Sequence, residues 1–241
     1  MQKRFTRKSD LEIILSRIKP HPTPTPNLEQ YTISADTAAT MLYIAAYSNG
    51  NIVEKTVLDL GCGTGRLAIG AALLGAYEVV GVDLDKTGVK AAFENSVTAG
   101  VKERTQWVVA DVDSIRGCFD TVLENPPFGV QKRGADRKFL AKALELGRVT
   151  YSIHKRPRAD PTLAKRLRKN SNGAIAVPPT SFMKKLIEGS GGRIEAVYAL
   201  SMTVPHMFTF HTEEKHEFLV DLYVVNRRQP KHDTRANQKV Y

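Results

Sequence analysis

Apolar residues follow two different periods along this chain. Leu11, Ile14, Leu15 and Ile18 stand at helical spacing, with Ser9 and Glu12 set like a capping box, so a short amphipathic helix is expected over 9–18. Pro20, Pro22, Pro24 and Pro26 then occupy every second position. Proline has no N–H for a helix and holds an extended backbone, so this stretch reads as a stiff connector. From Ser34, an N-cap by residue type, Ala38, Met41, Leu42, Ala45 and Ala46 share one face of a second helix that runs to Tyr47. The ordered domain is expected to start there.

Short apolar runs separated by helical sequence come next, at 56–60, 78–84, 106–110, 119–123 and 149–153. Continuous apolar strands alternating with helices describe a parallel sheet covered on both faces. Two further runs, 193–204 and 217–225, leave no room for a crossover helix between them and should pair antiparallel. The expected fold is α/β and Rossmann-like: a seven-stranded, mostly parallel sheet with one antiparallel strand near the edge. Residues 1–27 are expected as an N-terminal helix and proline connector, 28–228 as the main domain and 229–241 as a basic polar tail. No internal repeat is present.

The first strand opens into Asp59-Leu60-Gly61-Cys62-Gly63-Thr64-Gly65, and a helix is expected from Arg66. Glycines let the backbone turn sharply and approach a ligand closely, so Asp59, Gly61, Gly63, Thr64 and Gly65 are candidate cofactor contacts. Taken alone this loop is ambiguous, because a NAD site begins in the same way. Asp83, followed by Leu84, ends the next strand, where its carboxylate can accept both ribose hydroxyl protons of an adenosyl ligand. Asp111, with Val112, is expected to end the strand after that. Three successive strands then deliver ligand-facing groups to one edge of the sheet, which favours an adenosyl cofactor.

After the fourth strand comes Glu124-Asn125-Pro126-Pro127-Phe128-Gly129. A NAD enzyme has no use for this segment. The exocyclic amino group of adenine is a poor nucleophile, since its lone pair is delocalised into the ring. The Asn125 side-chain oxygen and the Pro126 carbonyl, stiffened by Pro127, can accept its two protons and turn the lone pair toward a methyl donor. Phe128 can stack on the base once it leaves its helix or loop. Asn125, Pro126, Pro127 and Phe128 are therefore the candidate catalytic residues.

Asp59 to Gly63 together with Asn125 to Phe128 resembles the class I amino-methyltransferases, whose substrates include adenines, cytosines and glutamine side chains. More narrowly the chain resembles the methyltransferase-like protein five family and its archaeal relatives. The matching pieces are Glu29-Gln30-Tyr31, Met41-Leu42-Tyr43, the glycine loop, Asn125 to Gly129, Asp136 with Phe139-Leu140, Tyr151 to Lys155, Phe210-His211 and Val220-Asp221-Leu222. The resemblance implies N6 methylation of an adenine in small-subunit ribosomal RNA with S-adenosyl-L-methionine as cofactor. It also implies cofactor contacts at Gln30, Gly61, Thr64, Asp83, Asp111 and Val112, and Asn125 is a further candidate contact. Eukaryotic members of the family pair with a small zinc-binding activator protein by strand addition at a sheet edge. The chain departs from the eukaryotic pattern after Tyr31, where Thr32 and Ile33 replace a proline and a threonine, and it carries extra basic sequence after Lys155.

Charge adds a partner to this picture. With 35 Lys and Arg against 25 Asp and Glu, the net charge is +10, which suits a polyanion such as RNA. Lys132 and Arg133 follow the Asn-Pro-Pro-Phe segment, and Lys155, Arg156, Arg158, Lys165, Arg166, Arg168 and Lys169 cluster beyond the fifth strand. Phosphate contacts around a target base are expected from them, against the plainer alternative of a solvated helix face. Two cysteines, Cys62 and Cys118, are too few for a disulfide framework and suggest a reducing cytoplasm. The six histidines lack metal-ligand spacing, so no metal is expected, and no run approaches the ~20 apolar residues of a membrane span. Two rival readings use the same loop: glutamine methylation of a translation protein, and a non-catalytic RNA-binding assembly factor.

Overall fold

The computed structural model describes residues 7–25, 32–128, 134–158, 160–170, 172–205 and 215–228. Gln30 with Glu29 and Tyr31, Gly129, Lys132 and Arg133, Phe210-His211 and the tail 229–241 lie outside the described residues.

Five strands run parallel: β1 (Thr56–Leu60), β2 (Glu78–Asp83), β3 (Thr105–Val109), β4 (Phe119–Glu124) and β5 (Gly147–Lys155). They are joined by α3 (Arg66–Leu73), α4 (Lys86–Thr98) and α5 (Ala135–Leu146). Three more strands complete the sheet, β6 (Ala174–Ala176), β7 (Gly192–Pro205) and β8 (Lys215–Arg227), in the order β3-β2-β1-β4-β5-β8-β7-β6. The order reverses between β1 and β4, the switch point where open α/β sheets bind ligands at the strands' carboxyl ends. β8 runs against β5 and β7, as the lack of a crossover between the last two apolar runs requires. The strand count is eight rather than the expected seven. The addition is β6, three residues that pair antiparallel with β7 and are too short to show a period.

α1 (Lys8–Ser16) begins one residue before the expected start, and Arg7 stands at its N-cap without a side-chain cap. Ser9 therefore sits inside the first turn and the expected capping box does not form. Leu11 and Leu15 are fully buried and Ile18 is nearly so, packed in one core with Met41, Leu42, Val57 and Ile69. The segment before residue 27, expected outside the ordered domain, thus contributes to its core. Lys8 Nζ reinforces the contact, donating to Asp36 Oδ1 at 2.6 Å and Thr40 Oγ1 at 3.0 Å on α2 (Ala35–Tyr43). Ser34 caps α2 through the Thr37 amide, and the helix passes into a π-helical turn over Ile44–Ser48. The opposite face of the sheet is covered by α5 and α7 (Ser181–Gly189), through Leu140, Leu144, Met183 and Ile187. α6 (Pro161–Lys169) lies on β7 through Leu163 and Leu167, which pack with Ala199. Among the described residues, no helix is long and apolar enough to cross a membrane.

Candidate active site

β1 delivers a loop that is left-handed at Gly61, Gly63 and Gly65. Two of these positions show why glycine is needed. A Cβ on Gly65, where φ is +85°, would lie 2.5 Å from the Trp107 ring and 3.0 Å from Ala92. Gly63, at φ +51°, has no atom within 4 Å of where its Cβ would stand, so its bare backbone faces open space. The Gly61 and Cys62 amides donate to the Val82 carbonyl at 2.8 and 2.9 Å, which locks the loop to the end of β2. Beneath it, the Asp59 carboxyl accepts from the Ala68 amide at 2.9 Å and is only 1% exposed. Burial pushes its pKa up to about 7. Asp59 therefore shapes the loop and the start of α3 from inside rather than facing a ligand, as its place in the motif had suggested.

Asp83 ends β2 as expected. Its Oδ2 accepts from the Gly63 amide at 2.8 Å and its Oδ1 from the Asp85 amide at 2.9 Å. A carboxylate offers about four lone-pair positions, so each oxygen retains one for an outside donor. Burial raises the Asp83 pKa, and the two amide bonds oppose it. The open side of Gly63 beside these spare acceptors fits a ribose bearing two hydroxyls. Leu84, next in the chain, is exposed. Asp111 stands beyond β3 rather than at its last position, since the strand stops at Val109. It caps a 3-10 turn through the Asp113 amide and pairs with Lys138 Nζ at 3.0 Å. Val112 is buried against Leu60 and Val82. Thr64 is buried too, and its Oγ1 makes no hydrogen bond among the described residues.

Three residues that carried no sequence signal hold the proline connector over this loop. The Asn95 side chain accepts from the Lys19 amide and donates to the carbonyls of Lys19 and Thr64, all at 3.1 Å. Arg66 donates to the carbonyls of Ile33 and Ile18, and His21 Nε2 lies 2.6 Å from Asp85 Oδ2. Both flanks of the segment that contains Gln30 are thereby fixed at the glycine loop.

On the other side of the switch point, β4 ends at Glu124 and the chain leaves through Asn125, Pro126, Pro127 and Phe128. Pro126 is buried and the other three are partly so. Phe128 meets Phe218 edge to face, with centroids 5.7 Å apart. Beside it lies a cavity of about 140 Å³ lined by Asp136, His154, Lys155, Thr180, Asp221 and Tyr223. A cavity of about 150 Å³ holds a benzene ring, so this one is ring-sized. Glu124 pairs in register with Ser152 on β5. Its Oε1 is 2.6 Å from Ser152 Oγ, which is 2.7 Å from His154 Nε2. Burial pushes Glu124 up to about 8 and His154 down to about 4, so both are neutral at pH 7. Thr150, Ser152 and His154 alternate with Val149, Tyr151 and Ile153 along β5, and that alternation is the signal that could have marked Ser152 and His154.

The basic candidates separate. Arg156, expected among the phosphate contacts, is bound to buried Asp221, with Nε 3.0 Å and a terminal nitrogen 2.8 Å from Oδ1. Its charge is already matched within the site. Lys155 and Arg158 are exposed, and the Lys155 ammonium lies 5.4 Å from the Phe218 ring centroid. On α6, Leu163 and Leu167 face inward, which leaves Lys165, Arg166, Arg168 and Lys169 outside. Arg168 pairs with Glu217 across the surface at 2.9 Å. No group of three or more His, Cys, Asp or Glu among the described residues could hold a metal ion.

Residues 36–125 match the family model of ribosomal protein L11 methyltransferase (PrmA). An uncharacterized protein of Methanocaldococcus jannaschii is 35% identical over 231 residues, 92% of this chain and 94% of its own. The rRNA N(6)-adenosine-methyltransferase Mettl5 of Drosophila melanogaster is 37% identical over 203 residues, 81% of this chain and 85% of its own. The crystal structure of a candidate RNA methyltransferase from Pyrococcus horikoshii superposes with a TM-score of 0.78 at 35% identity, covering 93% of this chain and all of that one. With relatives 30–37% identical that cover 81–88% of this chain, the protein belongs to the family of the rRNA N(6)-adenosine-methyltransferases METTL5.

Proposed function

We propose that this protein transfers a methyl group from S-adenosyl-L-methionine to the exocyclic N6 of an adenine in RNA, the substrate being small-subunit ribosomal RNA. The observation that carries the reading is the meeting, across the β1–β4 switch point, of the Gly63–Asp83 cradle with the Asn125-Pro126-Pro127-Phe128 turn and its ring-sized cavity. S-adenosylmethionine, when bound, supplies a methyl carbon on a positively charged sulfur. Asp83 and the bare backbone at Gly63 hold its ribose, and Thr64 and Gly65 complete the wall. Asn125 Oδ1 and the Pro126 carbonyl accept the two amino protons of the base, so the nitrogen lone pair faces that carbon. Phe128 stacks on the ring; as the C–N bond forms, the methyl–sulfur bond would break with its electron pair left on sulfur, giving S-adenosylhomocysteine, and the surplus proton of the amine passes to water.

The L11 methyltransferase match ends at Asn125. It therefore supports the cofactor half and says nothing about the substrate half, where similarity to the METTL5 relatives continues. Incubation with methyl-labelled cofactor and small ribosomal subunits, followed by separation of RNA from protein, tests the reading. Label in RNA is expected, and label in a protein glutamine would replace it with the rival.

Asp83→Ala is expected to weaken S-adenosylmethionine binding at least tenfold by calorimetry. Hydrogen bonds to a charged acceptor contribute about 1.5–3 kcal/mol each, and about 1.4 kcal/mol is tenfold. Unchanged affinity would remove Asp83 from the site. The exposed face of α6 supports RNA phosphate contacts. Reversing Lys165, Arg166, Arg168 and Lys169 together should leave cofactor affinity alone and flatten the salt dependence of RNA binding. If all four meet phosphates, the slope of log K against log salt falls by about 3. The same slope in both proteins would make the face merely solvated. β3 is an edge strand with Val108 and Val109 partly exposed, which supports strand addition by a small zinc-binding activator protein.

A further inference from the structure

Behind the Asn-Pro-Pro-Phe turn, Glu124, Ser152 and His154 form a row of polar side chains that is 0%, 0% and 6% exposed. A buried polar row is costly unless its members satisfy one another, and methyl transfer as described above uses none of them. The row runs in one direction, from the interior to the cavity. His154 lines that cavity with Phe128, whereas Glu124 and Ser152 do not. His154 Nε2 is taken by Ser152 Oγ, and Nδ1 makes no hydrogen bond among the described residues.

From this juxtaposition we propose that His154 is a specificity-determining residue: its Nδ1–H donates to a ring nitrogen of the target base beside the amino group, N1 or N7, and Glu124 is the positioning residue that fixes this tautomer through Ser152. The inference rests on the adenine reading above. Which ring nitrogen of a neutral histidine carries hydrogen is set by the bond the other one makes. Glu124 is held protonated at pH 7 by burial, aided by the nearby Asp136 carboxylate and opposed by Ser152. The Ser152 hydroxyl donates to Oε1 when Glu124 is ionised; with the carboxyl protonated, and Oε2 without a partner among the described residues, the acidic hydrogen sits on Oε1 and the Ser152 oxygen accepts it. Ser152 then donates to His154 Nε2, and the ring hydrogen is left on Nδ1. Adenine offers acceptors at both N1 and N7, while guanine carries hydrogen on N1 and a carbonyl where adenine has its amine. A donor meeting N1 therefore favours adenine over guanine, a donor meeting N7 favours a purine over a pyrimidine, and either leaves the amino group to Asn125 and Pro126.

The test uses the full chain and a transcribed small-subunit RNA fragment spanning the methylated position, which carries adenosine, 1-deazaadenosine or 7-deazaadenosine. Single-turnover rates are measured at saturating cofactor. With the wild-type protein, one of the two analogues should react about tenfold more slowly than adenosine, the loss expected from one hydrogen bond to a ring nitrogen. His154→Phe should slow adenosine by the same factor and that analogue no further, so discrimination disappears while cofactor affinity stays. Glu124→Gln, which keeps a neutral donor, should retain discrimination, and so should His154→Asn if the phenylalanine variant fails to fold. Equal wild-type rates on all three substrates would overturn the inference. So would a His154→Phe protein that still discriminates, the outcome of a purely structural histidine. No methyl on adenosine with the wild-type protein is a different failure, because it removes the adenine reading itself.

Discussion

An Asn125→Ala protein is expected to bind S-adenosylmethionine as the wild type does and to methylate at least about a hundredfold more slowly in single turnover. The cofactor is held from the β1 and β2 side by the glycine loop and Asp83, whereas Asn125 leaves β4 on the side of Phe128 and the cavity. Removing its amide takes away an acceptor that matters most as the amine becomes a nucleophile, and a preorganised group of that kind contributes ~3 kcal/mol at the transition state. Phe128→Ala should fail differently. Stacking contributes ~1–3 kcal/mol per base, so its defect lies in placement and recovers in part at saturating RNA. A near-normal single-turnover rate for Asn125→Ala would show that methyl transfer happens elsewhere.

Leu15→Ala is expected to lower stability by about 2–5 kcal/mol, although it lies in the first helix and far from the catalytic turn in sequence. Leu15 is fully buried, with Leu11, Leu42 and Ile69 in the same core. In a chain of this size each kcal/mol shifts the melting temperature by roughly 2–4 °C. The effect should reach the cofactor site as well, because the connector after α1 is bonded to Arg66 and Asn95 at the glycine loop. A melting temperature within a degree of wild type would mean that α1 is not part of the cooperative core.

Local features of the sequence carried most of the fold. The five parallel strands lie within a residue or two of their apolar runs, and the reversal of the last pair follows from the missing crossover. The glycine loop and the Asn-Pro-Pro-Phe turn were readable because each packs its chemistry into a few consecutive residues. What escaped depends on register between distant strands. Glu124 meets Ser152 across 28 residues and Arg156 meets Asp221 across 65, so a run of basic residues could not reveal that one of them is already paired. The leucines of α1 showed a helix but not the core it enters. Asn95, which with Ser96 is polar on the buried face of α4, joins two segments that only the folded chain brings together.

The most direct measurement is nucleoside mass spectrometry of small-subunit RNA after one turnover with wild-type and Asn125→Ala protein. A methyl group at N6 of adenosine with the wild type, and almost none with the variant, is the predicted result. Methyl at another atom or another base, or equal N6 methylation by both proteins, would contradict transfer at the Asn125 turn.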